Sequence, residues 1–340
     1  MKSITQNSPW ALPRPLFIQA PMEDVTDSVF RQMLLHTAPP DIFFTEFTNV
    51  DGVFSDGASN VIHRLVHTPQ EKPLIAQIWG HKPENYFNGA QYAKKNGFAG
   101  IDINMGCPQK DVIKKGLCAA LIDNHEQARK VIEATIAGAS EGDIPIPVSV
   151  KTRIGLKKNT LSVWLPFLLS FDLAAITLHG RTATEMSRVP AHWDVIAEAV
   201  KIRDSLNPKL VIIGNGDVKD RTDGLEKIAQ TGVDGVMIGR GMLENIYAFD
   251  EDPSKNDRLS VKQKINLLLK HLELFEKTWN QPDAFQKREY TLKKYYKIYI
   301  KSFEGASELR EKLMHAASLK ETQEILINYV AREEASASSQ

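Results

Sequence analysis

The run Asn104-Met105-Gly106-Cys107-Pro108 sets a thiol between a glycine and a proline, directly after the apolar segment Gly100-Ile101-Asp102-Ile103. A thiol so placed either does chemistry, as acid or nucleophile, or is an inert buried side chain. Other reactive residue types close or interrupt apolar segments nearby. Gln77 lies within 74–80, Lys151 and Arg153 lie within 147–154, and His179-Gly180-Arg181 ends 174–181. Each alone reads as a loop or capping residue; in succession they read as the wall of one site.

The elements that must position these residues are short strands. Apolar runs closed by turn residues fall at 16–21, 41–47, 74–80, 100–106, 147–154, 174–181, 209–216 and 233–239. Helical spacing fills most of the gaps, at 82–96, 124–139, 191–205 and 219–231, with Asn124 placed to cap the second of these. The strands are almost continuously hydrophobic, as parallel strands covered on both faces must be. Eight strand–helix units therefore predict an α/β fold, a TIM (β/α)8 barrel, rather than an open doubly wound sheet. An open sheet would carry a Gly-rich turn after its first strand, where this chain has Ala20-Pro21-Met22-Glu23-Asp24. In a barrel, ligands bind at the carboxyl ends of strands, which is where the polar residues fall.

The loops after the last two strands read Gly214-Asn215-Gly216-Asp217 and Gly239-Arg240-Gly241. Glycines there let backbone N–H groups approach an anion, and these two loops hold the usual phosphate site of a barrel. Arg240 would add charge-assisted bonds. Lys151 either pairs with a carboxylate or neutralises an electron-rich ring, as a reduced flavin requires.

Beyond Gly241 no strand signal returns. The polar stretch from Phe249 to Asp257 reads as a linker, which divides the chain into a barrel (1–248), a linker (249–257), a small all-helical domain (258–334) and a disordered tail (335–340). Ser260 and Gln263 form a capping box, and Val261, Ile265, Leu268, Leu272, Phe275 and Trp279 share one helix face. Helices are expected over 285–303 and 319–333. In the first of these, Lys293, Lys297 and Lys301 follow i, i+4 spacing, while Leu292, Tyr295, Tyr299 and Phe303 supply an opposite apolar face. That helix is either a solvated amphipathic surface or a contact for nucleic acid.

Bulk properties exclude more than they assign. The chain has 340 residues, 42% of them hydrophobic, and its 42 basic residues match its 42 acidic ones, so overall charge points to no anionic partner. Two cysteines argue against a disulfide framework. No apolar run approaches the roughly 20 residues of a membrane-spanning helix, and Met1 to Asn7 lack a signal peptide's apolar stretch. A cytoplasmic location is expected, with no obligate protein partner evident.

Taken together, these motifs resemble the tRNA-dihydrouridine synthases, flavoenzymes that reduce a uracil ring in folded RNA. The resemblance rests on Ala20-Pro21-Met22, Val25-Thr26-Asp27, Phe30-Arg31, Thr45-Glu46-Phe47, Ala76-Gln77 and Asn104-Met105-Gly106-Cys107-Pro108 with Lys110. It continues through Val150-Lys151-Thr152-Arg153, His179-Gly180-Arg181-Thr182, Asn215-Gly216-Asp217 and Met237-Ile238-Gly239-Arg240-Gly241, and so covers most of the chain. It implies flavin mononucleotide (FMN) held by Pro21, Met22, Glu23, Gln77, Lys151, His179, Asn215, Gly216, Asp217, Gly239 and Arg240, with NADPH as electron donor. Reducing the C5–C6 bond of uracil needs a hydride at C6 and a proton at C5, and the resemblance makes Cys107 the proton donor. Asn104 and Arg153 are expected to contact the base, and Lys293, Lys297 and Lys301 the surrounding tRNA, with ribosomal RNA left open as a substrate. Two places depart from the family pattern: Glu23-Asp24 after Pro-Met, and Leu117-Cys118-Ala119-Ala120 in place of a glycine-rich stretch. Cys118 reads as a buried small hydrophobe.

Rival readings keep the barrel and change the chemistry. A flavin barrel acting on a free pyrimidine, of the dihydroorotate dehydrogenase type, would not need a basic helical domain. An isomerase or aldolase would use Lys151 as a Schiff base. An RNA-binding barrel without activity would be expected to have lost the cysteine or a phosphate-site glycine, and this chain keeps both.

Overall fold

The computed structural model describes residues 8–281 and 285–337. Its nine described strands are β1 (Leu16–Gln19), β2 (Phe43–Phe44), β3 (Thr48–Asn49), β4 (Leu74–Trp79), β5 (Gly100–Met105), β6 (Val148–Arg153), β7 (Ala175–His179), β8 (Val211–Asn215) and β9 (Gly235–Ile238). All described pairings are parallel, in the order β1-β9-β8-β7-β6-β5-β4-β2, with β3 added beside β4. A bridge from Ile18 to Ile42 brings the two ends of the sheet together, helped by Gln19 N–H donating to the Ile42 carbonyl at 3.1 Å. The result is the expected eight-stranded parallel barrel wrapped in helices.

Of the expected strand 41–47 only β2 forms, and β3 lies just beyond it at Thr48–Asn49. Gln77 N–H donates to the Thr45 hydroxyl at 3.0 Å, so a side chain takes the place of a ladder carbonyl and the chain turns out at Thr45-Glu46-Phe47. The remaining strands lie within their expected segments. Helices Pro83–Lys95, His125–Ser140, Trp193–Leu206 and Arg221–Thr231 fill the expected gaps. Asn124 and Asp220 cap the second and fourth through side-chain bonds, and Gly232, at φ 75°, ends the fourth in a left-handed conformation. Helices Ser28–Thr37 and Leu161–Leu169 complete the ring.

The helical region begins at Val261–Trp279, where the capping box of Ser260 and Gln263 is formed and Ile265, Leu268, Leu272, Phe275 and Trp279 are buried. Residues 285–303 do not form one α-helix. They fold as a 3-10 segment (Glu289–Tyr295) followed by a single α-turn (Tyr296–Tyr299). A 3-10 helix repeats every 3.0 residues, so i, i+4 spacing no longer keeps Lys293, Lys297 and Lys301 on one face. Tyr295 and Tyr299 are buried as expected. Ala306–His315, not foreseen, and Leu319–Ala337 follow. The last helix includes the first residues of the expected tail, and 338–340, like Met1 to Asn7, lie outside the described residues.

Barrel and helical region share one contiguous core running from Phe17 to Leu326. Phe30, on helix Ser28–Thr37, stacks on Tyr295 with ring centroids 5.5 Å apart. Asp27, buried, accepts from Trp279 Nε1 at 3.2 Å and from Lys287 Nζ at 2.8 Å, tying the start of that helix to the helical region. No described helix is long and apolar enough to cross a membrane.

Candidate active site

At the carboxyl end of β5 the chain turns through Gly106-Cys107-Pro108, and Asn104 shapes that turn. Its side-chain oxygen accepts from the N–H groups of both Gly106 and Cys107 at 3.0 Å, while its amide nitrogen donates to Gln77 Oε1 at 3.0 Å. Gln77 passes the chain on to Asp102 Oδ2 at 2.7 Å, and Ser149 donates to the other Asp102 oxygen at 2.6 Å. Burial pushes the Asp102 carboxyl up to about 6, against the pull of those two bonds. This connected network inside the barrel sets where Cys107 points.

Cys107 and Lys151 line one cavity of about 500 Å³, together with Phe47, Gln77, Lys110 and Met186. A second cavity, about 740 Å³, opens over His179, Asn215, Gly216, Gly239 and Arg240. Pro21, Lys151 and Arg153 line both, so the two are adjoining lobes of one mouth.

Three protonation states distinguish the site. The Cys107 thiol is drawn down to about 7, first by a hydrogen bond from the Cys118 thiol and, against burial, by the Gln109 backbone. Lys151 is pushed down to about 8 by burial, with Arg153 adding repulsion. His179 is held well below its ordinary value by burial and then by the cations Lys151, Arg153, Arg181 and Arg240, so it is neutral near pH 7.

The loops after β8 and β9 carry a charged clamp. Asp217, with φ 53°, accepts from Arg181 on one oxygen and from Arg240 on the other, the latter at 2.9 Å. Gly216 has φ 123°, and a Cβ there would sit 2.7 Å from that of Ala191. Lys151 Nζ donates to Asn215 Oδ1 at 3.0 Å, a neutral amide and its one described hydrogen bond. Asp102 and Cys107 attract this cation electrostatically, but neither is a described hydrogen-bond or ion-pair partner.

Most of the expected residues therefore converge: Cys107, Gln77, Asn104, Pro21, Met22, Lys151, Arg153, His179, Asn215, Gly216, Asp217, Gly239 and Arg240 all line the two lobes. Glu23 does not; it faces Arg64 at 3.1 Å. Arg153 lines both lobes but spends Nε on the Gly106 carbonyl and a terminal nitrogen on that of Thr182, stitching together the loops after β5, β6 and β7. None of the three lysines lines either lobe, although Lys301 reaches Glu244 at the rim of the second and feels the charge of Lys297. Lys293 donates to the Met314 and Ala316 carbonyls at the end of helix Ala306–His315, Lys301 donates to the Glu244 carbonyl, and Lys297 is exposed. Arg181, Phe47 and Met186 belong to the site without having been given a role there. Arg181 and Phe47 lie in motifs that carry the resemblance, whereas Met186 has no sequence signal.

A parallel barrel with a thiol after one strand, a lysine on the next and a glycine-rich, arginine-bearing pair of loops after the last two defines a ligand-binding (β/α)8 enzyme scaffold. The sequence profile described as Dihydrouridine synthase (Dus) matches residues 18–336. A Staphylococcus epidermidis protein described as "Probable tRNA-dihydrouridine synthase" is 42% identical over 327 residues, covering 95% of this chain and 96% of its own. A Bacillus subtilis protein described as "Probable tRNA-dihydrouridine synthase 2" is 42% identical over 329 residues, covering 96% and 97%. Among solved structures, a 2-naphthoyl-CoA reductase superposes with a TM-score of 0.52 at 8% identity, over 73% of this chain and 51% of that one, a likeness of fold alone. This chain belongs to the dihydrouridine synthase family.

Proposed function

We propose that this chain reduces the C5–C6 double bond of uridine in tRNA to 5,6-dihydrouridine, depends on FMN reduced by NADPH, and uses Cys107 to deliver the proton to C5. The observation that carries this reading is the placement of Cys107 and Lys151 on the wall of one cavity, an acid and a cation facing the same space. The family and the descriptions of the relatives support the substrate.

The residues fit the flavin. Lys151, whose one described hydrogen bond is to a neutral amide, suits an electron-rich ring; Gly216, Gly239 and Arg240 line the adjoining lobe, where a phosphate needs backbone N–H groups and positive charge. Bound there, the flavin supplies the hydride. Neutral His179 accepts from Arg181 on Nε2 at 3.3 Å, which leaves Nδ1–H as a donor that adds no charge. Asn104 fixes the Cys107 backbone, so the thiol keeps its aim. After giving its proton Cys107 is a thiolate, eased by the Cys118 thiol beside it, and water restores the proton.

The test is positional mapping of dihydrouridine by mass spectrometry in tRNA and ribosomal RNA from cells with and without the gene, with complementation by Cys107→Ala. Loss of the modification at defined tRNA positions, rescued by the native chain and not by a Cys107→Ala protein that still holds flavin, is the expected result. Unchanged dihydrouridine in every RNA fraction would overturn it and leave a free-pyrimidine reductase.

A further inference from the structure

Met186 is an apolar residue left 47% exposed on a backbone at φ 55°, a left-handed conformation that residues with a Cβ avoid. Of the large exposed apolar side chains among the described residues, it alone lines either lobe, and the lobe is that of Cys107. Phe47, which lines the same cavity, is half-buried and serves as wall. The loop that joins β7 to helix Trp193–Leu206 is braced on both sides of Met186. Thr182 N–H donates to Glu185 Oε2 at 2.7 Å, Glu185 N–H returns a bond to the Thr182 hydroxyl at 3.2 Å, and Arg188 N–H donates across Met186 to the Glu185 carbonyl at 3.0 Å. Glu185 also meets His192 at 3.1 Å, while the N–H groups of Ala183 and Thr184 donate to the Gly155 and Leu156 carbonyls in the loop after β6. These bonds hold the strained residue where it is, so its exposure belongs to the fold and not to slack in the chain. Positive charge lies beside it. Lys110 on the same cavity, Arg188 two positions on, and Lys157, whose carbonyl accepts from the Thr184 hydroxyl at 3.2 Å, are all exposed.

We propose that Met186 is a wedge that enters the RNA stack as the target uridine leaves it, filling the gap beside the neighbouring base while the uracil goes down to Cys107. The inference rests on the RNA reduction proposed above. An apolar tip among cations at the rim of a cavity matches a partner that is anionic along its backbone and apolar on the faces of its bases. A base that reaches a thiol on the cavity wall must first unstack, and the faces it leaves are then open to water. Methionine suits the vacated place, because its unbranched, polarisable side chain adapts to a base face of any identity. The contact favours the extruded state and reads no letter of the sequence around it. A left-handed backbone at this point turns the side chain away from the core, where a methionine would otherwise pack, and the surrounding bonds bear the strain.

The experiment is single-turnover reduction of saturating tRNA by the full-length, flavin-loaded and pre-reduced protein, for the native chain, Met186→Ser and Met186→Leu. A second tRNA carries an abasic nucleotide next to the uridine that dihydrouridine mapping identifies, so its stack is already broken. The expected result is a loss of roughly tenfold or more for Met186→Ser on intact tRNA, with recovery toward the native rate on the abasic one, where extrusion costs least. Met186→Leu, which keeps an apolar tip of similar volume, is expected to stay near the native rate on both. An equal loss by Met186→Ser on both RNAs would overturn the wedge and make the residue part of the cavity wall; no loss on either, or a Met186→Leu as slow as Met186→Ser on intact tRNA, would overturn it as well. Reduction of neither RNA by the native chain would instead refute the proposed function, and the inference with it.

Discussion

Lys151 Nζ and Asn215 Oδ1 lie 3.0 Å apart, and the Asn215 amide continues to the Met237 carbonyl at 2.8 Å, so side chains link β6, β8 and β9 across the barrel mouth. Lys151→Met keeps the length of the side chain and removes its charge. The expected effect is a lower flavin midpoint potential and a roughly tenfold or greater loss in nicotinamide oxidation, each tenfold being about 1.4 kcal/mol. Potentiometric titration beside steady-state kinetics reads both; an unchanged potential would remove Lys151 from flavin control.

The thiol at position 107 fixes a pH dependence. Its value of about 7 means that the proton-bearing form predominates below that pH and is lost as pH rises through it. Single-turnover reduction of RNA by pre-reduced enzyme is therefore expected to fall across neutrality as the medium becomes more alkaline. A rate that climbs over the same interval would show that the thiolate, not the thiol, is the working form.

Lysines of this chain divide by what they already hold. Lys110 is exposed and lines the Cys107 lobe, so Lys110→Glu is expected to weaken RNA binding and reduce the salt slope by about 1, with nicotinamide oxidation unchanged. Lys293→Glu is expected to lower the melting temperature instead, because it strips the Met314 and Ala316 carbonyls of their donor. Filter binding across a salt series and thermal denaturation separate the two. Equal salt slopes for native protein and Lys110→Glu would place the RNA elsewhere.

Asp27 is buried beneath the helical region and held below the usual carboxylate range: burial alone would raise it, but the Lys287 charge and hydrogen bond outweigh that effect. Lys287→Met strands this charge and is expected to cost about 3–5 kcal/mol. Chemical denaturation measures the loss, and a cost below about 1 kcal/mol would mean that the pair is solvated in the manner of a surface bridge.

The barrel was legible because parallel strands covered on both faces must be apolar throughout, and every expected strand has a counterpart. The break between β2 and β3 was hidden because it depends on the Thr45 hydroxyl meeting the Gln77 N–H, a contact between distant segments. Spacing alone put Lys293, Lys297 and Lys301 on one α-helical face, since nothing in the residue types reveals a 3-10 winding. Residue identity likewise placed Asn104 and Arg153 at the mouth but could not show that their polar atoms serve the loops around Cys107.

The stack of Phe30 on Tyr295, with the Tyr295 hydroxyl donating to the Val25 carbonyl at 2.6 Å, anchors the helical region to the loop that follows β1. A polynucleotide seated on the helical region, as the proposed function expects, would be held at a set stand-off from the sulfur of Cys107, like the fence on a saw table. Choice among uridines would then be expected to follow measured length along the RNA rather than a reading of letters. Transplanting the helices onto another barrel would carry that ruler along only if Asp27, Phe30 and their footing travelled too.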